Sequence, residues 1–532
     1  MTKVFAMESQ PGVGPVMRIM NDPSYDPVTT PPTDYGKMSF DSRTTKLGYV
    51  YDIYTEQFDS RFQTGGDNNG FRDWWYFKDG DINTGSGNSA DRATAGRIIE
   101  WYTLAGGRQT ISLLEGWWPF GYLPIIEVRT LDPALPANTY KGAIVDYTQL
   151  GTSLYGYIQS YAGYACLASA GTTSTPLEAY VALVGGSSVP QSVISAFQLP
   201  AREDALPNFA TTPIGGQNVL LISPSTTRLA LPGRDVTDTN IDHYIFHEDK
   251  VPAKIMAAGD INVAGSGTAT IMCPLPLTPL TYMDFMIKRQ TEAEFWNPPF
   301  FNSVAGGDGS LAFTYEVKTD RIVITNGTST AITVRYVVLT DSAEPYTTGG
   351  TEVLTRDNDG TQNFVQIKRP GSSDTAPSLN DIILDSRLAY MPLLAEGFLP
   401  WSSGFPTVIS GTDRFMGERK ATVSFSNPAP KLLPFVKQMV VFPSDANPVT
   451  VQGSLHKVFT DSGTAPWIGR ASQNSSWANV HDTSVDFYMS GDNPFSINAN
   501  DGAWKIRRYN DGNVEYNALG LRYYIFGIPN GL

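Results

Sequence analysis

The feature that most constrains this chain of 532 residues is an internal repeat: five short segments recur three times in the same order. Most of these segments contain an apolar run of strand length next to Pro, Gly, Asn or Asp. Five matches in one order are hard to obtain by chance, so the sequence predicts three copies of one structural module.

The repeated segments are as follows. The first is VMRIMNDP, NVLLISP and FVQIKRPG, from Val16, Asn218 and Phe364, and the second is KMSFDSRTTKLGYVYD, HYIFHEDKVPAKIMAAGD and DIILDSRLAYMPLLAEG, from Lys37, His243 and Asp381. The third is QTISLL, ATIMCP and ATVSFSNP, from Gln109, Ala269 and Ala421. The fourth is YLPIIEVRTL, TYMDFMIKRQ and LPFVKQMVVFP, from Tyr122, Thr281 and Leu433, and the fifth is EAYVALVGG, TVRYVVLTD and LRYYIFGIP, from Glu178, Thr333 and Leu521.

The composition of these segments predicts an all-β fold. They are rich in Val, Ile, Thr and Tyr, and in the third segment the alternation places Ile111, Ile271 and Val423 on one face. The 49 Gly and 37 Pro residues divide the chain into short runs, and long amphipathic helical patterns are almost absent. We therefore expect three tandem β-sandwich-like modules.

The middle copy contains the clearest local signal. Its sequence from Arg321 is RIVITNGTSTAITVRYVVL, in which Thr and Val alternate on either side of Asn326-Gly327. An Asn-Gly pair between two such runs is typical of a β-hairpin, so we expect the two runs to pair with each other.

The spacing of the segments predicts where the modules end. The middle copy is the shortest, so we expect a minimal module there and long loop insertions in the outer copies. The predicted modules span residues 1–186, with an insertion near 55–107, residues 212–342, and residues 362–532, with an insertion near 444–501. Polar segments without strand alternation predict linkers at Gly185–Thr212 and Asp341–Thr361, of which Tyr346–Gly350 is the clearest break. Met1–Gly14 is expected to form either an arm that binds a neighbour or an added strand.

Charge and hydropathy exclude several classes of partner. With 38 basic and 52 acidic residues the net charge is −14, and a nucleic-acid or anionic-membrane partner would require a basic face. No apolar run approaches the roughly 20 residues of a transmembrane helix, and the first residues do not resemble a signal peptide. We therefore expect no membrane insertion and synthesis in a cytoplasm. Cys166 and Cys273 lie in apolar, strand-like segments and are expected to be buried free thiols rather than a disulfide.

His243 and His247, beside two acidic residues, superficially suggest a metal site. On a strand, however, positions i and i+4 lie about 13 Å apart, which is too far to bind one ion. The repeat also places Asp41 and Asp385 where His247 falls. No metal is expected here.

Other candidate chemistry is weak. The segment RDNDG at Arg356–Gly360 has two carboxylates but lacks the remaining ligands of a calcium loop, so a tight turn explains it better. No nucleophilic serine, zinc-protease, phosphate-loop or dinucleotide motif occurs. Glycoside hydrolysis requires a pair of carboxylates, and nothing distinguishes a pair among Glu100, Glu115, Asp413 and Glu418. We expect no catalysis and no cofactor, with depolymerase activity kept open.

Clusters of aromatic residues have two interpretations. Trp74, Trp75 and Tyr76 lie in the first insertion among Asn, Asp and Gly residues, and Trp117 and Trp118 precede a framework strand. Flat rings beside polar groups can bind sugars, but such rings also form small cores or subunit interfaces, which we favour. Trp467, Trp477 and Trp504 of the third copy are interpreted in the same way.

The second segment carries a family resemblance. An apolar strand that ends at Pro-Gly is followed by an Ile-Phe-His or Ser-Phe-Asp-Ser cluster and another apolar strand; the residues are Phe364–Gly371, Ile383–Ser386, Ile245–Lys254 and Ser39–Lys46. This pattern resembles a recurrent module of tail-fibre and tail-tip-associated proteins of tailed bacteriophages. The resemblance covers the framework of all three copies but includes no invariant motif.

The resemblance implies a virion structural protein of the phage tail, in a fibre, tip or collar, that contributes to tail assembly and to host attachment. It implies a homo-oligomer, as a trimer or ring, with other virion proteins and a host-surface glycan or protein as further partners. Two alternatives stay open. One is a capsid or capsid-decoration protein, although a triplicated module fits a single jelly roll poorly. The other is a carbohydrate-active enzyme or lectin with β-sandwich modules.

Overall fold

The chain folds almost entirely into β-strands. The computed structural model describes residues 4–10, 14–44, 57–59, 73–74, 96–99, 102–103, 124–130, 139–141, 146–149, 156–159, 165–169, 178–184, 192–206, 214–249, 254–277, 281–297, 300–303, 313–339, 345–401, 403–408, 419–443, 450–452, 456–459, 476–489, 497–499, 502–504 and 518–530. Within these ranges the only helices are three single 3-10 turns, at Tyr35–Lys37, Ile241–His243 and Leu379–Asp381. The predicted all-β fold is confirmed. No helix in the described ranges is long and apolar enough to cross a membrane.

The strands are numbered along the chain. The first module contains β1 (Val4–Gln10), β2 (Gly14–Met20), β3 (Met38–Asp41), β4 (Gln57–Asp59), β5 (Asp73–Trp74), β6 (Gly96–Ile99), β7 (Tyr102–Thr103), β8 (Pro124–Thr130), β9 (Thr139–Lys141), β10 (Asp146–Gln149), β11 (Gly156–Gln159), β12 (Ala165–Ser169), β13 (Glu178–Val184) and β14 (Ser192–Pro200). The second contains β15 (Leu220–Ser223), β16 (Thr226–Ala230), β17 (Tyr244–Phe246), β18 (Ile255–Val263), β19 (Thr268–Met272), β20 (Tyr282–Arg289), β21 (Phe295–Asn297), β22 (Phe300–Ser303), β23 (Phe313–Val317), β24 (Arg321–Asn326) and β25 (Ile332–Leu339). The third contains β26 (Leu354–Asn358), β27 (Asn363–Lys368), β28 (Ile382–Asp385), β29 (Leu393–Pro400), β30 (Thr407–Val408), β31 (Arg419–Ser424), β32 (Leu433–Val441), β33 (Thr450–Gln452), β34 (His456–Phe459), β35 (Ser476–Val480), β36 (Ser484–Met489), β37 (Ile497–Ala499), β38 (Gly502–Trp504) and β39 (Gly520–Ile528).

Each module begins with a small antiparallel sheet of three strands. The strand orders are β1-β2-β3, β15-β16-β17 and β26-β27-β28, and a 3-10 turn precedes the third strand each time. The register shifts at the same place in all three sheets, directly after the pairs Ile19–Phe40, Leu229–Phe246 and Ile367–Leu384. A shared bulge in a shared register shows that the three sheets are copies of one unit.

The first repeated segment is aligned correctly in two copies. Val16 and Phe364 begin runs that form the central strands β2 and β27, whereas the run from Asn218 forms the outer strand β15. The equivalent central strand is β16, so the prediction for the second copy is wrong by one strand. Both runs of that copy are apolar and stop at a proline, Pro224 or Pro232, so the local pattern did not separate them. Of the two expectations for Met1–Gly14, the added strand is confirmed, because β1 pairs with β2 along its length.

The second module shows the sandwich in its simplest form. Strand β25 lies between β18 and β20 in one sheet, and β24 lies between β19 and β23 in the other. Apolar side chains of the two sheets pack against each other, including Phe285, whose ring meets Phe313 edge-on at 4.9 Å between centroids. Burial of these faces is the main source of stability for such a layer.

The predicted hairpin at Asn326-Gly327 is wrong. Strands β24 and β25 follow each other in the chain, yet they pair with different strands and lie in opposite sheets. The Asn326 amide donates to the carbonyls of Ala264 and Thr330, and its Oδ1 accepts from the backbone N–H of Thr328. These bonds shape the connection between the two layers of the sandwich.

Both outer modules contain a sheet equivalent to the β18-β25-β20 sheet, and the central strand was predicted correctly in the third module but not in the first. The fourth segment is confirmed as β8, β20 and β32. The fifth forms the central strands β25 and β39, but in the first module the strand that pairs with β8 is β14, and the predicted Glu178 segment forms β13. Two apolar runs follow each other there, and only their pairing partners tell them apart.

The predicted linkers and insertions contain framework strands. Strand β14 lies within Gly185–Thr212 and β26 within Asp341–Thr361, so the expectation of strand-free linkers is wrong for these residues. In the predicted insertion near 444–501, β35 and β36 pair with each other as β23 and β24 do. In the one near 55–107, β6 pairs with β13 as β19 pairs with β24. The predicted module limits stay a prediction, although β14 and β26 extend the first and third modules beyond them.

One strand of each module pairs with a strand of the next module, and the three pairings close a ring. We call these pairings strand exchanges. Strand β21 of the second module pairs with β35 of the third, β33 of the third pairs with β12 of the first, and β9 of the first pairs with β23 of the second. Two of the exchanges join the modules in continuous eight-stranded sheets. The modules are therefore not separate units in a row but form a cyclic arrangement with pseudo-threefold topology.

The contact between the first and third modules can be tested by adding one methyl group. A Cβ on Gly36, in the first 3-10 turn, would lie 1.7 Å from the backbone oxygen of Pro430 in the third module. We expect Gly36→Ala to lower the free energy of unfolding by about 1–3 kcal/mol, the usual cost of overpacking. Gly215→Ala is the matched control, since nothing lies within 4 Å of the added atom. Chemical unfolding of both variants measures the difference, and equal midpoints would contradict the contact.

Candidate functional site at the junction of three modules

The three small sheets share one apolar core. The Phe40 ring of the first module meets the Tyr390 ring of the third edge-on, with centroids 5.8 Å apart. Residues from all three modules bury their side chains together: Met17, Ile19, Phe40, Leu229, Leu231, Ile245, Phe246, Ile367, Ile383, Leu384 and Tyr390. A core with contributions from every module couples the three units to one another.

The turn after each third strand is built from the same hydrogen bonds. The side chains of Asp41, His247 and Asp385 each accept from the backbone N–H two residues later. The next residue, Ser42, Glu248 or Ser386, accepts from a backbone N–H of the central strand, namely that of Met17, Thr227 or Val365. These six bonds satisfy backbone donors at the end of the sheet. The Ser-Phe-Asp-Ser and Ile-Phe-His clusters are therefore parts of a structural turn.

The two histidines of the second segment make local hydrogen-bond contacts. His243 Nδ1 lies 2.6 Å from an oxygen of Asp238, and His247 Nδ1 accepts from the backbone N–H of Asp249 at 3.0 Å. Within the described ranges no group of three or more His, Cys, Asp or Glu side chains is arranged to hold an ion.

A buried ion pair lies where all three modules meet. Lys437 of β32 binds Asp284 of β20, and their side chains are 3% and 6% exposed. The Lys437 ammonium also lies 4.1 Å from the centroid of the Phe197 ring in β14. Asp284 and Lys437 occupy equivalent positions in their modules, opposite Val337 and Tyr524 of the central strands. Opposite charges at equivalent positions distinguish the second module from the third.

Further hydrogen bonds cross the same junction. Arg335 of the second module donates to the Pro434 carbonyl of the third at 3.0 Å, and Asn297 donates to the Val436 carbonyl at 2.9 Å. Tyr524 of the third module donates to the Pro200 carbonyl of the first at 2.6 Å. Each side chain binds a backbone oxygen of a neighbouring module, which fixes how the sheets approach one another.

An aromatic stack seals the exchange between the second and third modules. Trp477 of β35 is buried between Trp296 of β21, at 5.1 Å between centroids, and Tyr488 of β36, at 4.1 Å. The interpretation of Trp477 as a core or interface residue is confirmed. Trp467 lies outside the described residues, and of Trp504 the structure describes only the backbone, in β38.

The structure does not describe the side chains of the aromatic residues that the sequence analysis proposed as glycan-binding or interface residues. Trp75, Tyr76, Trp117 and Trp118 lie outside the described residues, and only the backbone of Trp74 is described, in β5 opposite Ile98. Glu100, Glu115, Asp413 and Glu418 also lie outside the described residues.

Two smaller predictions are placed. Cys273 is buried and unbridged, as expected, and burial raises the pKa of its thiol to about 11. The side chain of Cys166 is not described. The RDNDG segment ends β26 in a turn, where Asp359 accepts from the backbone N–H groups of Thr361 and Gln362. The hydrogen bond from the Thr361 hydroxyl, together with these two backbone bonds, lowers the pKa of Asp359 to about 2. Its carboxylate therefore stabilises the turn, as the simpler interpretation predicted.

Sequence reasoning missed the residues that join the modules. Asp284 and Lys437 belong to segments that were predicted to be strands, whereas Trp296 lies after the fourth segment of the second copy, in a strand that was not predicted. The partners of all three lie in other modules. Two signals were available: a charged residue in an apolar strand and a Trp directly before a proline-containing connection. Neither signal predicts which residue the side chain contacts.

Removing the Lys437 charge tests the buried pair. We expect Lys437→Met to lower the free energy of unfolding by about 3–5 kcal/mol, because Asp284 is left buried without its cation. The double variant Asp284→Leu/Lys437→Met should recover most of that loss, since it leaves no unpaired charge. Chemical unfolding of the full chain measures both. Lys431→Met is the control: its ion pair with Asp482 is exposed, so a change within about 1 kcal/mol is expected.

Acid should destabilise the small sheet of the second module through Glu248, whose carboxylate binds Arg228 and the backbone N–H of Thr227. Burial opposes ionisation of this carboxyl, but hydrogen bonds from Arg228 and from the Thr227 backbone, with the nearby His247, lower its pKa below the usual 4.5. A lowered folded-state pKa contributes stability that is complete above pH 4.5 and is lost as pH falls through the folded value. We expect Glu248→Gln to show a smaller drop in unfolding midpoint than the wild type between pH 7 and pH 3. An identical drop would contradict this assignment.

No family model, no curated protein and no solved structure matches the chain. Its function is therefore inferred from the ring and from the contacts that close it.

Proposed function

We propose that this chain is a structural protein of the virion of a tailed bacteriophage, located in the tail as a fibre, tip or collar component. In this role it contributes to tail assembly and to attachment to the host surface. The observation that supports the proposal best is the cyclic exchange of strands, which closes three modules of one chain into a ring.

Strand exchange suits a part that must keep its shape under load. To separate two modules, the backbone hydrogen bonds of the shared strand must break together with the side-chain contacts beside it. At the boundary between the second and third modules these contacts include the Trp296–Trp477 stack and the hydrogen bond from Asn297 to the Val436 carbonyl. The boundary is held like the interior of a domain rather than like a transient interface.

The ring also bears on the expected homo-oligomer. Three modules of one chain already supply the closed ring that we expected from three subunits. A trimer or larger ring of the whole chain, which remains part of the proposal, would have to form through surfaces outside these exchanged strands.

The location is tested by electron microscopy of phage particles labelled with gold-conjugated antibodies against this chain. Label at the tail is expected. Label spread evenly over the capsid would instead support a capsid or decoration protein. Release of soluble glycan from host envelopes by the purified chain would favour a carbohydrate-active enzyme.

A further inference from the structure

The outer strands of the three small sheets offer three equivalent edges. Strands β1, β15 and β26 each pair with a central strand on one side, and no described strand pairs with the other side. Because the three sheets share one core, these edges are repeated around the ring. An open edge carries unpaired backbone donors and acceptors that another strand can join.

Each of these edges also exposes a large apolar side chain. Met7 of β1 is 48% exposed, Leu221 of β15 is 38% exposed, and Leu354 of β26 is 40% exposed. Single exposed apolar residues are common on protein surfaces. The pairs Met7–Met17, Leu221–Arg228 and Leu354–Ile367 place these side chains at different positions of the shared register. What the three edges share is therefore the backbone of an outer strand with an exposed apolar side chain, and not the position of that side chain.

A pocket lies beside the first edge. It has a volume of about 260 Å³ and is lined by Met7, Val16 and Met17 of the first sheet and by Leu220 and Leu229 of the second, among others. Small-molecule sites usually measure about 300–1,000 Å³, so this pocket suits one apolar side chain of a protein partner better than a cofactor.

We propose that the three edges together bind a homotrimeric protein, each chain of which adds one strand, to β1, β15 or β26. The edges differ in sequence: they are VFAMESQ, LLIS and LTRDN. Strand addition obtains its affinity mainly from backbone hydrogen bonds, which do not depend on those differences. Three identical strands can therefore bind three unlike edges, and the pocket beside β1 accepts an apolar side chain from one of them.

This inference names the class of partner for the proposed structural role, but its test does not depend on a tail location. The probe is a trimeric coiled coil whose chains each carry, on a flexible Gly-Ser linker, a seven-residue peptide of alternating Val and Thr. After the first strand binds, the other two bind intramolecularly, so the trimer should bind at least about 100-fold more tightly than the free peptide. A trimer with N-methylated peptides, which cannot complete the ladder, should lose this gain.

Variants of the full chain assign the gain to the edges. Charged residues at sheet edges oppose strand addition, so Met7→Lys, Leu221→Lys and Leu354→Lys together should abolish the gain, and each single variant should remove part of it. Val28→Lys is the matched control, because Val28 is 60% exposed and lies in a loop. These substitutions are at exposed positions, and equal unfolding midpoints verify that the fold is kept.

Three results would overturn the proposal. They are equal affinity of trimer and free peptide, an effect of only one of the three lysine variants, and a dimer of the chain itself that sedimentation detects and the triple variant abolishes. The last result would assign the edges to a second copy of this chain.

Discussion

The backbone ladder that each module shares with the next is the constraint on which the rest of the structure depends. Strand β21 extends the sheet of the second module and at the same time forms the edge partner of β35 in the third. A module taken alone would leave this strand without a partner on one side. The ring is therefore the smallest arrangement in which all three exchanges are made. The shared core and the buried ion pair form only when the modules are arranged in this ring.

A ladder of backbone bonds explains why the repeats can differ so much in sequence. Backbone donors and acceptors are the same in every residue but proline, so side chains at the boundaries can diverge while the exchange persists. The side chains determine which modules can be neighbours. With Asp284 in the second module and Lys437 at the equivalent position of the third, two copies of the second module or two copies of the third would place like charges together. The charged pair thus opposes the pairing of two copies of the same module.

The sequence predicted what is local and missed what is not. Alternation and turn residues indicated the strand class, the repeat and strands such as β20 and β32, because these depend on neighbours within about ten residues. The hairpin at Asn326-Gly327 failed because two alternating runs and an Asn-Gly pair also fit a connection between two sheets. Strand β14 was taken for a linker because its place is decided by pairing with β8, across a long stretch of chain. The junction residues share this property, since each of their partners belongs to another module.

The turn after the third strand shows what the repeat selects at one position. Asp41 and Asp385 each accept a backbone N–H and bind an arginine two residues later, Arg43 or Arg387. In the second module both residues change: His247 keeps the backbone bond, and the arginine is replaced by Asp249, 3.6 Å from the ring. The pair Asp–Arg of the first and third modules is thus replaced by His–Asp in the second. The hydrogen-bond acceptor is retained, while the acidic residue moves from the first to the second position of the pair. The repeat therefore requires a hydrogen-bond acceptor at this position and not a particular charge, which is why both aspartate and histidine occur there.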